Sequence, residues 1–141
     1  MRTVSGQRLV RWLMLGFVVG SIGFLSAGCD SQSVLCTAEF VTYTVRVVTP
    51  AGQPADSVQI EVRNASTGAR YDVCGGLSPC HNPEDGQYTI FHDGVDVGPF
   101  PTEVVVTGRK GDLGFRATYV FRQGQCHVRK LAGPAQVTLS R

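Results

Sequence analysis

The sequence predicts an all-β fold: an antiparallel Greek-key sandwich of about seven short strands. Three observations carry this. Apolar and polar residues alternate at period 2 in most segments after residue 37. Clusters of glycine, proline, asparagine and aspartate cut the chain between those segments. No window past residue 37 keeps helical spacing long enough to compete.

The first element is not a strand. Arg2, Arg8 and Arg11 precede an uncharged, mostly apolar run from Trp12 to Phe24, which ends in Leu25-Ser26-Ala27-Gly28-Cys29. A basic flank, a short apolar core and small residues at its end make an export signal. The uncharged stretch from Trp12 to Gly28 is at the short edge of the roughly 17–25 residues that span a bilayer, so a permanent membrane anchor is one alternative. An ordinary secretory signal, with Cys29 left for a disulfide, is another. The cysteine directly after the small residues resembles a bacterial lipoprotein signal, with Leu25 one place earlier than that family usually has its leucine. The resemblance implies cleavage after residue 28, acylation of Cys29, and a mature protein held by lipid in the cell envelope, facing the periplasm or the exterior. One acyl chain gives only marginal membrane binding, whereas two or more give a stable anchor. The chain then divides into a signal at 1–28, a short lipidated leader at 29–36 and a sandwich domain at 37–141.

The strands follow in order. In Val41-Thr42-Tyr43-Thr44-Val45-Arg46-Val47 the apolar residues take the odd positions. Val58, Ile60 and Val62 alternate with Gln59, Glu61 and Arg63, and Tyr88 and Ile90 with Gln87 and Thr89. Such alternation places each apolar set on one face of a sheet. The segment from Thr102 to Thr107 carries Val104-Val105-Val106, as a strand buried on both faces does. Phe115, Ala117, Tyr119 and Phe121 alternate with Arg116, Thr118 and Arg122, and a shorter pair around Val128 and Val137-Leu139 is broken by Gly133-Pro134. Pro50 to Pro54, Asn64 to Gly68, Asp85-Gly86, Asp93-Gly94, Gly111-Asp112 and Gln123-Gly124 supply the turns.

Val47-Val48-Thr49-Pro50-Ala51-Gly52-Gln53-Pro54 with Val58 to Val62, and then Glu84-Asp85-Gly86-Gln87-Tyr88-Thr89-Ile90, resemble the opening and the central Asp-Gly-x-Tyr turn of carboxypeptidase regulatory-like domains. The resemblance covers roughly residues 40–122. It departs at Asp56-Ser57, where the family has Gly-Ala, and in the cysteine-bearing insertion at 74–80. It implies a transthyretin-like, immunoglobulin-like seven-stranded sandwich with no catalytic residues of its own, used as an accessory or adhesive module.

Besides Cys29 the chain has Cys36, Cys74, Cys80 and Cys126. An even number in an exported domain reads as two disulfides, and four cysteines allow three pairings. Cys74–Cys80 with Cys36–Cys126 is favoured, because Gly75-Gly76 and Pro79 let the short loop turn back, and the long bond would staple the first strand to the end of the chain. The competing reading is a metal site, since Cys80-His81 and Cys126-His127 are adjacent pairs with Cys74 near in sequence. Zinc ligands normally sit two to four residues apart on a turn, and neighbours on a strand point to opposite faces.

Little else points to chemistry. His81, His92 and His127 come with no nucleophile motif, and the His-x-His spacing that would suit iron on a related sandwich is missing. Asp93, Asp96 and Asp112 lie in loops where calcium is conceivable and polar turns are the plainer reading. Asn64-Ala65-Ser66 has the form of a glycosylation acceptor, and Phe100 stands between two prolines. Removing residues 1–28 takes away three arginines and no acid, leaving 10 basic and 11 acidic side chains. That near-neutral balance has no basic stripe for nucleic acid. The sequence thus predicts a non-catalytic envelope lipoprotein without a cofactor. Its partners are the membrane, through Cys29, and an envelope protein or carbohydrate ligand. A small metal-binding protein or metal-dependent enzyme, and a subunit of an envelope assembly, are the alternatives.

Overall fold

A computed structural model describes residues 34–141; the signal expected at 1–28 and the acylation expected at Cys29 lie outside the described residues. Among the described residues the chain is all-β, with a single 3-10 turn at Pro83–Asp85. Eight strands run in order: β1 (Thr42–Val48), β2 (Gln59–Asn64), β3 (His81–Asn82), β4 (Gln87–His92), β5 (Thr102–Lys110), β6 (Leu113–Gln123), β7 (Val128–Ala132) and β8 (Gln136–Thr138). They form two four-stranded sheets, ordered β3-β4-β1-β8 and β2-β5-β6-β7. The inward faces share one core of Val45, Val47, Val62, Val104, Val106, Tyr88, Phe91, Tyr119 and Phe121, which makes the fold a β-sandwich.

Two sequence expectations need correcting. There are eight strands rather than seven, because His81–Asn82 pairs with Tyr88 and Gln87. Two residues are too short to show a period. The sheets are also not wholly antiparallel: β8 lies parallel to β1, with Arg46 opposite Gln136 and Val48 opposite Thr138. The chain reaches β8 from β7 in the other sheet, so no tight turn dictates its direction.

The alternation holds in β1, where Val45 and Val47 are buried and Thr44 and Arg46 exposed. It breaks in β4. Tyr43 faces Phe91 and Thr44 faces Thr89, so Ile90 is the extra residue of a bulge. Tyr88, Ile90 and Phe91 are all buried as a result, and the Phe91 ring stacks on Phe121 at 4.4 Å. Val105 is the outward residue of the valine run in β5, flanked across the ladder by Arg63 and Thr118, yet only 9% exposed.

The Asp85-Gly86-Gln87-Tyr88 segment has a structural task. Gly86 sits at φ 68°, and a Cβ there would meet the Val47 carbonyl oxygen at 2.6 Å. That approach lets the Val47 N–H donate to the Gly86 carbonyl at 2.8 Å, while the Ala55 N–H donates to the Val47 carbonyl at 2.9 Å. Two residues on, the buried Tyr88 hydroxyl donates to the Ala55 carbonyl at 2.7 Å and accepts the Val58 N–H at 3.1 Å. It thereby holds the connection between β1 and β2, including Ser57 at φ 54°. Tyr119 is the contrasting case: fully buried, with a hydroxyl that lacks a partner and a pKa that burial pushes up to about 12.

These two tyrosines are expected to respond in opposite directions. Tyr88→Phe strands an acceptor and a donor in the core and should cost about 1–3 kcal/mol. Tyr119→Phe removes an unsatisfied hydroxyl and should leave stability unchanged or raise it by about 1 kcal/mol. Urea unfolding of the two variants beside the parent protein checks both signs.

Candidate functional site

Polar chemistry gathers at the end of the sandwich where the leader enters. β1 begins there at Thr42, β4 ends at His92, β5 begins at Thr102, and β6 turns into β7 between Gln123 and Val128. Cys36 and Cys126 form a disulfide across this end, with Cα atoms 5.3 Å apart. Cys126 precedes β7 rather than the last strand, so the bond ties the leader, which feeds the first sheet, to a hairpin of the second. Closing a loop of 90 residues stabilises the fold by about 4–5 kcal/mol.

Beside the disulfide, Asp93 is almost covered and fully used. Its Oδ2 accepts the Val41 N–H at 2.8 Å and lies 2.7 Å from His127 Nδ1; its Oδ1 accepts the Val128 N–H at 2.8 Å. Burial alone would raise the pKa of this carboxyl. The N–H donors of Val41 and Val128, with His127, outweigh burial and hold it below the ordinary aspartate value. On its far side, His127 Nε2 lies 3.3 Å from the Thr37 hydroxyl. Carboxylate, imidazole and hydroxyl stand in line, an order able to polarise an oxygen. Here two of the donors to the carboxylate are main-chain groups from distant segments, so its first effect is to clamp the entry to β1 and the β6–β7 turn together.

The second cluster is Cys74, Cys80 and His81. The cysteines form the expected second disulfide, closing a loop of 6 residues. One ligand atom from each of the three residues lies within 4.8 Å of the others. Both sulfurs are taken by the bond and offer no thiolate. His81 Nδ1 accepts the Thr89 N–H at 3.1 Å, which places its proton on Nε2, 3.6 Å from the Cys74 sulfur. Burial depresses its pKa. Next to it a groove of about 290 Å³ opens at the sandwich edge, lined by Ile60, Val62, Arg70, Tyr71, Asp72 and His81.

The two Cys-His pairs are not brought together: Cys80-His81 belongs to the groove, Cys126-His127 to the leader end. The third histidine, His92, is buried, and its Nδ1 accepts the Gly94 N–H at 2.9 Å. Asp96 is spent on the Gly98 N–H at 2.8 Å. Asp112 lies on the β5–β6 hairpin, about 30 Å of strand away from Asp93, so the three aspartates do not share a site. Asn64 accepts two N–H groups of its own turn, and Phe100 is 77% exposed. What the sequence hid was Asp93: nothing local marks a turn aspartate as the acceptor for residues 52 and 35 positions away.

Asp93→Asn should cost about 2–4 kcal/mol by weakening three charge-assisted bonds, whereas Thr37→Ala should stay within about 0.5 kcal/mol. Because the folded pKa of Asp93 is depressed, its contribution is fully present above the unfolded aspartate pKa of about 3.9 and is lost as pH falls through the folded value. Unfolding curves between pH 7 and about pH 3 should therefore converge for the parent and Asp93→Asn.

No protein-family model, curated protein or solved structure matches this chain.

Proposed function

We propose that this protein is a non-catalytic lipoprotein of the bacterial cell envelope. In this reading residues 1–28 are removed, Cys29 carries the acyl chains, and a transthyretin-like Greek-key sandwich is presented close to the membrane. The finer fold assignment is supported by the strand order: β1 lies between β4 and β8, not beside β2, so the two sheets interlock. One observation carries the functional reading. The segment that follows the acylation site is fastened to the domain by Cys36–Cys126, seven residues after Cys29, and again where Asp93 holds the Val41 N–H, twelve residues after it. A lipid on Cys29 would then be tied to the body of the sandwich, not to a loose tail.

The candidate ligand surface is the groove beside Cys74–Cys80. Tyr71 and His81 line it with rings, and Arg70 and Asp72 with polar groups. That mixture suits a carbohydrate or a loop of an envelope protein better than an apolar small molecule.

The second reading, a small metal-binding protein, is favoured by the approach of Cys74, Cys80 and His81. It needs the disulfide reduced and His81 released from the Thr89 N–H. Thiol titration of the exported protein under denaturing conditions separates the two readings. The lipoprotein reading expects no free thiol, and a metal site expects at least two together with bound zinc. For the anchor itself, intact mass after membrane extraction should give a chain starting at Cys29, with acyl groups added and two hydrogens lost per disulfide. A Cys29→Ser protein that stays in the membrane fraction just as the parent does would sink the reading.

A further inference from the structure

Five large apolar side chains are exposed among the described residues: Val34 (50%), Leu35 (92%), Phe40 (55%), Phe100 (77%) and Leu131 (46%). Four of them sit at one end. Val34 and Leu35 directly precede Cys36, which is bonded to Cys126 in the β6–β7 turn. Phe40 leans on His92 at the end of β4, with ring centroids 5.3 Å apart. Phe100 is in the loop whose Gly98 carbonyl accepts the Gln123 N–H at 3.0 Å, in the last residue of β6. The opposite end, with the β1–β2 connection and the β5–β6 hairpin, exposes no side chain of this class among the described residues.

We infer that this apolar end is a membrane-docking face, which seats Leu35, Phe40 and Phe100 among the headgroups and upper acyl chains of the bilayer that holds Cys29. The inference rests on the lipid-anchor reading and adds an orientation to it. The occupant follows from chain length. Four residues lie between Cys29 and Val34, so the two are five steps of chain apart and at most about 17 Å, even fully extended. An acylated Cys29 therefore keeps this end, and not the other, within reach of the interface. The side chains fit the place, since aromatic and aliphatic groups at a rim are what an interfacial region accepts. So does the charge just above them. Arg122 and Arg129 lie opposite one another on β6 and β7 at this end, and neither has an acidic partner among the described residues. Two like charges in register repel unless an anion sits between them, and lipid phosphate supplies one.

The test uses an indole as depth probe. Trp12 is the only tryptophan of the chain and falls in the segment removed on cleavage, so F100W puts a single fluorophore on the proposed face. The full chain carrying F100W is expressed with its leader and extracted from membranes. It is then reconstituted into phosphatidylethanolamine–phosphatidylglycerol vesicles, with or without bromine on the acyl chains. Bromine should cut the emission by about half or more, while the same probe at the far hairpin, D112W, stays unchanged. Equal emission from F100W in both vesicles overturns the docking face, whether the end is then bare or covered by a second copy or another protein. Intact mass of the same sample reports the anchor separately. Acyl groups with no quenching leave the anchor and remove the face. No acyl groups removes the anchor and, with it, the docking face that rests on it.

Discussion

The structure depends most on how one nearly covered carboxylate is satisfied. Asp93 sits where the entry to β1, the end of β4 and the start of β7 meet, and it takes donors from Val41, His127 and Val128. An ionised carboxylate at this depth is tolerable only if such donors replace its water. The three segments are far apart in sequence, so the carboxylate is satisfied only when the two sheets are already in register. It therefore acts as a check on assembly. Cys36–Cys126 closes over the same junction and reduces the freedom of the unfolded chain. One contribution needs ionisation and the other oxidation, and both act on the same few residues.

At the opposite end the lock is made from main chain and one phenol. Gly86 allows two backbones to touch, and Tyr88 holds the β1–β2 connection through its hydroxyl. Between the two ends the core is mostly valine and aromatic rings, with Phe91 stacked between Phe121 and the edge of Tyr71. Branched and planar side chains of this kind fill the space between twisted sheets with little rotamer freedom to lose. The domain is thus clamped at both ends and packed in the middle. The unpartnered Tyr119 hydroxyl and His92 Nε2 are exceptions it carries without apparent gain.

Much of this was legible in the residues, for identifiable reasons. Period 2 located β1, β2, β5 and β6, because each presents one face to the core. The even count and spacing of cysteines pointed to the two bonds that form. The pattern failed where the backbone departs from regularity. The bulge at Ile90 cancels the alternation of β4, and β3 is too short to have one. The parallel partner of β1 is a long-range choice that no local turn encodes. The candidate site was the least legible part. Asp93-Gly94 reads as an ordinary turn, and only tertiary structure delivers His127 and the Val41 and Val128 amides to it. The separate fates of Cys126 and His127 were hidden for a related reason: the two are adjacent in sequence, while the fold sends the sulfur to Cys36 and the imidazole to Asp93.

Charge decides what kind of membrane association such a domain can have. With 10 basic and 11 acidic side chains after residue 28, it draws little net attraction from an anionic surface. Attachment of the kind proposed would then have to come from apolar burial. Acyl chains contribute about 0.8 kcal/mol per buried methylene and need no complementary surface. They give no orientation, because a flexible tether lets a sandwich tumble above the bilayer. Orientation needs a short tether, a stiff junction and an end that prefers the interface. Under the proposed anchor, the four residues between Cys29 and Val34, the Cys36–Cys126 and Asp93 clamp, and the exposed Leu35, Phe40 and Phe100 would be one of each. If that end faces the lipid, the groove at the β2–β3 edge stands to the side of the domain. The β1–β2 and β5–β6 turns point away from the membrane, towards whatever the envelope presents.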